Sequence, residues 1–403
     1  MRLLYLVREK FPTFRPDVTE LFGVELPIRG MRVVAVMRSE KRADRTVIRR
    51  MGGAIAVVTP ASESDGIVGK IKNMFWLTYR YLVFVRLGWR KQWDVIQSRD
   101  EVPGPWLVRM AALRQRAART FWLSFPFPEE KLEAAERSKG MKRPLLKLRG
   151  LLGQFFLYRT GLRLVDHVFV QSEQMRTDVA RFGVPLDRMS SVPMAVQLRG
   201  REDILVPVRE KPKKLTIGYL GTLDAARRMD FMVRVLKIVR EAIPDAELLL
   251  VGEGARPSDR HIIEAEGVRC GVRDAITITG FLPRDEAWRK LESAFVCVSP
   301  FYPTFILNST SPTKLVEYMQ LGMPVLANDH PEQRRVIQES GAGRCVAWDE
   351  RAFADAICDM WANSTETLAA AQNGPHYVRA CRSYESIGLA VFDQYSRLAG
   401  GTS

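Results

Sequence analysis

The sequence predicts an α/β protein with two doubly wound parallel sheets, one in each half of the chain. Its 403 residues are enough for about two domains of typical size. Short apolar runs alternate with segments of helical length, a pattern typical of strand–helix–strand units and parallel sheets. A composition of 46% hydrophobic and 27% charged residues excludes disordered, collagen-like and disulfide-stapled proteins. We therefore expect two globular domains.

Charge separates the two halves. The chain carries a net charge of +15, and residues 1–200 contain 36 basic and 19 acidic side chains, whereas residues 201–403 contain 25 and 27. All of the positive excess therefore lies in the first half. Because such a field concentrates negative partners, we expect a polyanion, an anionic membrane surface or a phosphorylated substrate to face this half.

The strands of the first half are predicted from apolar runs that end in polar residues, glycine or proline. These runs are residues 3–7, 31–37, 54–58, 95–97 and 168–171. In the second half the alternation is cleaner, and the strands read as continuous apolar runs, as in a sheet buried on both faces. We predict strands at 215–220, 246–251, 276–279, 295–298 and 325–327, and helices at 229–243, 261–267, 285–293, 313–321 and 332–339. Residues 365–398 predict one or two further helices.

Residues 205–214 are rich in proline and lysine and show neither the helical nor the strand periodicity of apolar residues, so we expect a hinge there. The predicted domains are residues 1–204 and 205–380, followed by a C-terminal helix and tail at 381–403. Two such domains offer a cleft at the carboxyl ends of their strands, where ligands of doubly wound folds bind.

The five cysteines all lie in the second half, with no C-x-x-C pair and no neighbouring histidine cluster. This usage favours a reducing cytoplasm and predicts neither a zinc site nor a disulfide framework. No stretch approaches the roughly 18 to 20 apolar residues that a spanning helix needs. We therefore expect a chain that does not cross a membrane.

Several motifs of the second half occur together and in order. They are IGYLGTL at 217–223, RRMD at 227–230, LLLVGEG at 248–254, GFLP at 280–283, KLVEYMQLGMPV at 314–325, PEQ at 331–333 and SGAG at 340–343. This set resembles the nucleotide-sugar domain of the retaining GT-B glycosyltransferases of family 4. The first half agrees more weakly, through FPT at 11–13, DVI at 94–96 and GVP at 183–185. The resemblance implies two Rossmann-like domains facing a cleft, with a C-terminal helix that returns toward the N-terminal domain.

The resemblance also implies a reaction and a set of residues. A retaining, metal-independent enzyme would transfer a hexosyl-type sugar from a nucleoside-diphosphate sugar, with UDP or GDP as the carrier and no further cofactor. Arg227 and Lys314 would stabilise the leaving diphosphate, and Glu317 would hold the ribose hydroxyls. The other donor-binding residues implied are Gly221, Thr222, Arg228, Gly252, Glu253, Phe281, Leu282, Ser309, Ser311, Thr313 and Leu315. Phe281 has the alternative of a core position.

Two positions depart from the family pattern. The family has an arginine directly after the glycine of the first loop, where this chain has Thr222, and a glutamate eight residues before Glu317, where it has Ser309. The departures leave the donor sugar open. They also leave open a non-catalytic relative that binds sugar or lipid as a scaffold protein.

In the first half, the polar residues at the carboxyl end of a predicted strand are Arg99 and Asp100, which are candidates for catalysis or for a plain ion pair. The only histidine there, His167, follows Asp166 in a strand, and we expect it to be structural.

Two acid-free windows combine basic and aromatic residues. One runs from Lys70 to Lys91 and the other from Arg137 to Arg163. Their pattern favours an amphipathic surface on an anionic membrane. The acceptor would then be a lipid-linked saccharide or glycolipid, and the protein would lie on the inner face of the cytoplasmic membrane. A solvated positive face is the alternative, and nucleic acid is not expected because no recognition module is visible.

Overall fold

The protein is described here by a computed structural model covering residues 1–62, 66–199 and 209–401. Contacts divide the chain into two compact units: unit 1 is Met1–Gln197 with Tyr384–Ser403, and unit 2 is Leu198–Ser383. The domain boundaries predicted from the sequence lie between residues 204 and 205 and between residues 380 and 381. Of the predicted hinge at 205–214, the residues up to 208 lie outside the described part of the chain.

Unit 1 contains an eight-stranded sheet in the order β3-β4-β2-β1-β5-β6-β7-β8. All neighbouring strands are parallel except β3, which runs antiparallel to β4 at the edge. The strands are β1 (Arg2–Phe11), β2 (Arg32–Ser39), β3 (Val47–Met51), β4 (Ala54–Thr59), β5 (Val95–Arg99), β6 (Ala118–Leu123), β7 (His167–Val170) and β8 (Met189–Ser191).

Helices cover both faces of this sheet. They are α1 (Leu26–Ile28), α2 (Gly66–Arg90), α3 (Gly104–Ala111), α4 (Phe127–Glu136), α5 (Lys142–Gly153) and α6 (Glu173–Ala180). A wider helical segment, Asp17–Glu25, leads into α1, and a similar one, Gln154–Thr160, continues α5. One face packs an apolar cluster that includes Phe84 of α2 and Val108 of α3, and the other packs a cluster that includes Phe22.

Unit 2 contains a six-stranded parallel sheet in the order β11-β10-β9-β12-β13-β14. Its strands are β9 (Thr216–Leu220), β10 (Glu247–Val251), β11 (Ile276–Ile278), β12 (Val296–Ser299), β13 (Val325–Asn328) and β14 (Gly343–Val346). Its helices are α7 (Asp230–Ala242), α8 (Pro257–Cys270), α9 (Arg284–Leu291), α10 (Phe305–Asn308), α11 (Thr313–Gln320), α12 (Pro331–Ser340), α13 (Glu350–Ala362), α14 (Ser364–Ala371) and α15 (Asn373–Cys381). Strand order reverses beside β9, and this is the position at which doubly wound folds bind ligands.

The structure corrects the expected tail. Residues 365–398 form parts of three helices rather than one or two, because Gly374 and Pro375 open a new helix after Gln372 and a further break falls at Arg382 and Ser383. A proline is tolerated in the first turn of a helix but not in its interior.

The last helix, α16 (Tyr384–Gly400), belongs to unit 1, which confirms the expected return to the N-terminal domain. The Tyr395 hydroxyl donates to Gln97 Oε1 at 2.6 Å, and Arg29 Nη2 donates to the carbonyl of Glu385 at 2.7 Å. A Cβ on Gly388 would lie 2.8 Å from Cβ of Glu25. The helix therefore packs too closely here for any larger residue.

A buried ion network joins the carboxyl end of β5 to its neighbours and contains the predicted pair Arg99 and Asp100. Arg99 is fully buried, with Nη2 at 2.6 Å from Asp17 Oδ2 and Nε at 3.1 Å from Glu9 Oε1. Its Nε also lies 3.3 Å from Asp100 Oδ2. Because Arg99 is enclosed and paired with three carboxylates, it ties the strand ends together and presents no surface to a substrate.

Asp100 has a strained backbone and a shifted pKa. Its φ of 55° places a non-glycine residue in the left-handed region, and the backbone N–H and hydroxyl of Ser124 both donate to its carboxylate. Burial raises its pKa from the ordinary 3.8 to about 6, although Arg99 opposes the shift. Ionisation of this carboxylate therefore destabilises the folded state. The destabilisation is absent below pH 3.8 and complete above pH 6.

We expect Asp100→Asn to gain stability relative to the wild type most strongly above pH 7, with the gain shrinking as pH falls to 4. The amide keeps an acceptor for Ser124 but carries no charge to desolvate. Melting temperatures of both proteins from pH 4 to 8 test this, with the exposed Asp44→Asn as a control. A gain that is constant with pH, or that grows toward pH 4, would contradict the expectation.

Candidate functional site

The carboxyl ends of the first strands of unit 2 form a pocket of about 260 Å³. Seven of the predicted donor-binding or catalytic residues line it, together with the ends of β9 and β10 and Ala287 of α9. The seven are Gly221, Thr222, Gly252, Glu253, Phe281, Leu282 and Lys314. The structure therefore brings together, at one edge of one sheet, residues that are up to 93 positions apart in sequence.

The walls of this pocket depend on two glycines in contact. Gly252 has a φ of 146°, and a Cβ built on it would lie 1.9 Å from the carbonyl oxygen of Gly221. The backbone N–H of Gly221 donates to Val251 at 3.0 Å, and that of Leu223 donates to Glu253 at 3.1 Å. The loops after β9 and β10 thus lie backbone against backbone, and a ligand in the pocket can approach the backbone of both closely.

Tyr318 of α11 fixes the third wall. Its hydroxyl accepts from the backbone N–H of Leu220 at 2.8 Å and donates to the carbonyl of Leu220 at 3.2 Å. The side chain is fully buried. Because Lys314 lies one helical turn before Tyr318, this contact places the lysine beside Gly221. The sequence motif contained Tyr318, but sequence reasoning gave it no role.

Lys314 and Glu317 form an ion pair, with Nζ 2.8 Å from Oε2. Both lie on the first turns of α11, three residues apart, and Glu317 is the more enclosed of the two. Without a ligand each neutralises the other, so a ligand with both a negative group and hydroxyl donors can engage the two partners at once.

The two arginines of the RRMD motif differ in their partners. Arg228 has a φ of 54°, and its Nε lies 3.3 Å from Asp230 Oδ1. Arg227 lies with its guanidinium 5.3 Å from the ring centre of Phe301, and in the described part of the chain it has no ion pair. Of the predicted cations in unit 2, Arg227 is therefore the one whose charge is uncompensated, although it does not line the 260 Å³ pocket.

Four further predicted donor contacts, like Arg227, Arg228 and Glu317, lie away from the pocket lining. Ser309, Ser311 and Leu315 are buried, Ser309 with 1% of its surface exposed, and Thr313 begins α11. His330 holds the preceding segment: its Nε2 donates to the carbonyl of Leu307 at 2.7 Å, while Nδ1 accepts from the N–H groups that open α12. Burial lowers the pKa of His330 to about 4, so the ring is neutral.

Two further residues resolve alternatives left open by the sequence. Phe281 is 85% exposed, so the core alternative is wrong and the ring lies at the rim of the pocket. His167 in unit 1 is buried, with Nε2 2.9 Å from the Ser190 hydroxyl, and burial lowers its pKa to about 4. It is a neutral structural residue, as expected.

Unit 1 has its own pocket at the carboxyl ends of β1 and β2. Its volume is about 900 Å³. It is lined by Phe11, Pro12, Val58 and residues of the 39–49 segment, including the cations Lys41, Arg42, Arg45 and Arg49 and the acids Glu40 and Asp44. The pocket is therefore large and basic, consistent with the positive excess of this half.

Both acid-free windows of unit 1 expose apolar stripes at helical spacing. The exposed large apolar residues of α2 are Ile71, Met74, Phe75, Leu77, Leu82 and Trp89, with Met74 at 64%. Those of α5, its continuation and the residue before it are Met141, Leu145, Leu148, Leu151, Leu152, Phe155 and Phe156, with Leu148 at 53%. Lys70, Lys72, Lys142, Arg143 and Lys147 lie among them and are exposed. Among the described residues, no helix is long and apolar enough to cross a membrane.

In the described part of the chain, no group of three or more His, Cys, Asp or Glu side chains is placed to hold a metal ion.

The chain matches a known family over most of its length. The family description "Glycosyl transferase 4-like domain" matches residues 18–195, and "Glycosyl transferases group 1" matches residues 214–363. A curated relative, the phosphatidyl-myo-inositol mannosyltransferase of Mycobacterium leprae (strain TN), is 30% identical over 200 residues. The aligned segment covers 48% of this chain and 47% of that relative, so the chain spans about half the length of the curated protein it matches.

Solved structures share the fold along the whole chain. The sucrose-phosphate synthase of Thermosynechococcus elongatus matches with a TM-score of 0.71 at 17% identity, covering 100% of both chains. Anabaena HepE, solved in complex with UDP-glucose, matches with a TM-score of 0.66 at 13% identity, covering 98% of this chain and 100% of its own. WaaG, a glycosyltransferase involved in lipopolysaccharide biosynthesis, matches with a TM-score of 0.66 at 14% identity, covering 98% and 99%. With its two parallel-sheet units and its match to both domain descriptions, the chain belongs to the GT-B glycosyltransferases of family 4.

Proposed function

We propose that this protein is a retaining glycosyltransferase. It takes a hexosyl sugar from a nucleoside-diphosphate sugar bound in the 260 Å³ pocket of unit 2 and transfers it to a membrane-associated acceptor bound by unit 1. The observation that carries the proposal is the pocket itself, where the glycine loops at Gly221 and Gly252 adjoin Lys314, which pairs with Glu317.

The ion pair suits the two ends of a nucleoside diphosphate. A vicinal diol presents two donors to the two oxygens of a carboxylate, so ribose binds Glu317. Lys314 is then free to turn toward the diphosphate at the glycine loop, and Arg227 adds the second cation. The solved complex of HepE with UDP-glucose supports a sugar nucleotide as the donor. The proposed carrier is UDP or GDP.

In the proposed step an acceptor hydroxyl oxygen forms a bond to the anomeric carbon while the bond from that carbon to the diphosphate oxygen breaks. The hydroxyl proton passes to the departing diphosphate, so the products are the glycoside and the nucleoside diphosphate. Negative charge grows on the leaving group, and side-chain cations can stabilise it without a metal ion. Because the leaving group accepts the proton, the proposed step needs no histidine base. This agrees with the burial of His167 and His330, which are both held in structural contacts.

The acceptor proposal rests on the surface of unit 1. Its basic pocket lies at the carboxyl ends of β1 and β2, and the exposed apolar stripes of α2 and α5 carry lysine and arginine. Such stripes bind the interface of an anionic membrane by apolar burial and charge together. The relative named as a phosphatidyl-myo-inositol mannosyltransferase supports a lipid acceptor. We propose that the protein works on the inner face of the cytoplasmic membrane, on a lipid-linked saccharide or glycolipid.

The donor prediction concerns Glu317 and Lys314. With a panel of UDP- and GDP-sugars, we expect one to raise the melting temperature of the wild type and to be hydrolysed or transferred. Lys314→Met should lower turnover about 10²- to 10³-fold, the range for losing one transition-state contact to developing charge. Arg227→Ala should act in the same way, and Glu317→Ala should weaken nucleotide binding.

Lys237→Met removes an exposed lysine from α7 of the same unit and serves as the control, with turnover unchanged. Nucleotide binding with no turnover for any donor would favour the scaffold alternative. The absence of any nucleotide-dependent shift would refute the donor site.

The membrane prediction concerns α5. Wild-type protein should sediment with vesicles that contain phosphatidylglycerol and stay in solution with pure phosphatidylcholine, and added salt should weaken binding. Lys147→Glu should reduce partitioning at least five-fold, since each basic residue contributes about 1 kcal/mol at such a surface. Leu148→Glu should also reduce it, while Val268→Glu, an equally exposed apolar position in unit 2, should not. Binding that ignores both lipid charge and salt would count against this surface.

A further inference from the structure

Three arginines gather at the carboxyl-end edge of the unit 1 sheet, on the face that α2 covers. Leu6 of β1 and Val36 of β2 pack in the same apolar cluster as Phe84 of α2. Because side chains alternate along a strand, Arg38, two residues further on in β2, lies on that same face. Arg8 follows Leu6 where the pairing of β1 with β2 shifts, and its charge acts on Arg38. Arg80 of α2 meets them there, and its Nη1 donates to the carbonyl of Val7 at 3.1 Å. We call Arg8, Arg38 and Arg80 the arginine cluster.

One carboxylate of the described residues lies at the arginine cluster, and it already has two partners. Glu101, which follows β5, forms an ion pair with Arg80 and accepts a hydrogen bond from the Tyr81 hydroxyl at 2.7 Å. Arg80 is only 2% exposed, and its Nε is buried with no hydrogen-bond partner. Burial and the charge of Glu101 raise the pKa of Tyr81, which stays a neutral donor. Glu101 therefore pairs with Arg80 and Tyr81, and its charge offsets only part of the charge of Arg38.

Arg8 and Arg38 make no ion pair in the part of the chain that the structure describes. The guanidinium of Arg8 lies 4.0 Å from the ring centre of Phe127. Within residues 1–62, 66–199 and 209–401, the guanidinium of Arg38 has no hydrogen bond or ion pair, and it remains accessible to solvent. The surrounding protein and the neighbouring charge of Arg80 lower the pKa of Arg38. An anion at this point would relieve that cost and satisfy the free donors.

We propose that the arginine cluster binds a phosphate group, and that the phosphate belongs to the acceptor. Guanidinium forks match phosphate oxygens in pairs, and three of them converge here where a lone surface arginine would offer one. The identification with the acceptor rests on the proposed function, whereas the phosphate site itself does not.

The surroundings indicate which kind of phosphate it is. Since α2 connects the end of β4 to the start of β5, it runs opposite to the strands, and its residues before Arg80 lie toward the carboxyl-end edge. Those residues carry the exposed stripe of Ile71, Met74 and Phe75. A phosphate at the arginine cluster would thus lie beside an apolar surface, as the phosphate of an amphipathic lipid does. A soluble phosphate ester would share the chemistry without using the stripe.

Titration calorimetry with inorganic phosphate tests the site on the full chain. We expect wild-type protein to bind phosphate and Arg38→Gln to bind it about ten-fold more weakly. Arg32→Gln, at the exposed start of the same strand, should bind like the wild type. Without phosphate, Arg38→Gln should melt no lower than the wild type, since it removes an uncompensated charge.

Vesicles with and without phosphatidic acid identify the source of the phosphate. Weaker sedimentation of Arg38→Gln, but not of Arg32→Gln, with phosphatidic acid would support a lipid phosphate, and an effect confined to inorganic phosphate would support a soluble ester. Equal phosphate affinity in Arg38→Gln and wild type, or no binding by the wild type, would overturn the proposal. If sugar nucleotides fail to bind while phosphate binding still depends on Arg38, the proposed function fails and the phosphate site stands.

Discussion

The contact between the backbones of Gly221 and Gly252 is the constraint on which the donor pocket depends. With a Cβ of Gly252 only 1.9 Å from the Gly221 carbonyl, no other residue fits without moving both loops. The ends of β9 and β10 can then meet directly, and Gly252 pairs in turn with Gly280 in an isolated bridge. Three loops share one narrow edge as a result. The loop residues that line the pocket are positioned by this contact, including the exposed Phe281 beside Gly280.

Tyr318 couples this edge to the charged residues. Its two hydrogen bonds to Leu220 attach α11 to the last residue of β9, immediately before Gly221. A buried hydroxyl that both donates and accepts is satisfied only in this position, so the helix cannot slide by a turn without leaving Leu220 unpaired. The ion pair of Lys314 and Glu317 is thus held at a fixed distance from the glycine loops, and a ligand need only rearrange two side chains.

The sequence predicted the parts of the fold that have strong patterns. All five strands predicted in each half are present, because continuous apolar runs mark buried parallel strands. The four missed strands lack such runs. In β3, Arg49 and Arg50 are exposed at the sheet edge, and β6 carries Arg119 near its start. The strand β8 has only three residues, two of them serines, and β14 has only partly buried residues. The number of helices in the tail was predicted wrongly. In a sequence, a proline in the first turn of a new helix looks the same as a proline that ends the preceding helix.

For the site, motif reasoning located the loops but not the partners of their side chains. Seven predicted residues line one pocket, since strand-end loops are fixed by strand order. The burial of Ser309 and Leu315, and the positive φ of Arg228, depend on tertiary packing that no local spacing encodes. The same holds for Arg99, which looked like an available cation at a strand end. It is enclosed because Glu9 and Asp17 approach from other elements.

Charge compensation, rather than charge count, distinguishes the arginines of this chain from one another. Arg99 has three carboxylates and is enclosed, Arg228 has Asp230, and Arg80 has Glu101. Arg227 in unit 2, and Arg8 and Arg38 in unit 1, have none among the described residues, and each lies near the carboxyl-end edge of its own sheet. A folded chain tolerates an unpaired cation on a solvated surface at a modest cost in stability. Three guanidiniums around one carboxylate that is already paired repel one another. The positive excess of unit 1 therefore includes a local charge that no ion pair neutralises, at the edge where its strands end, and a phosphate is the counter-charge that we propose for it.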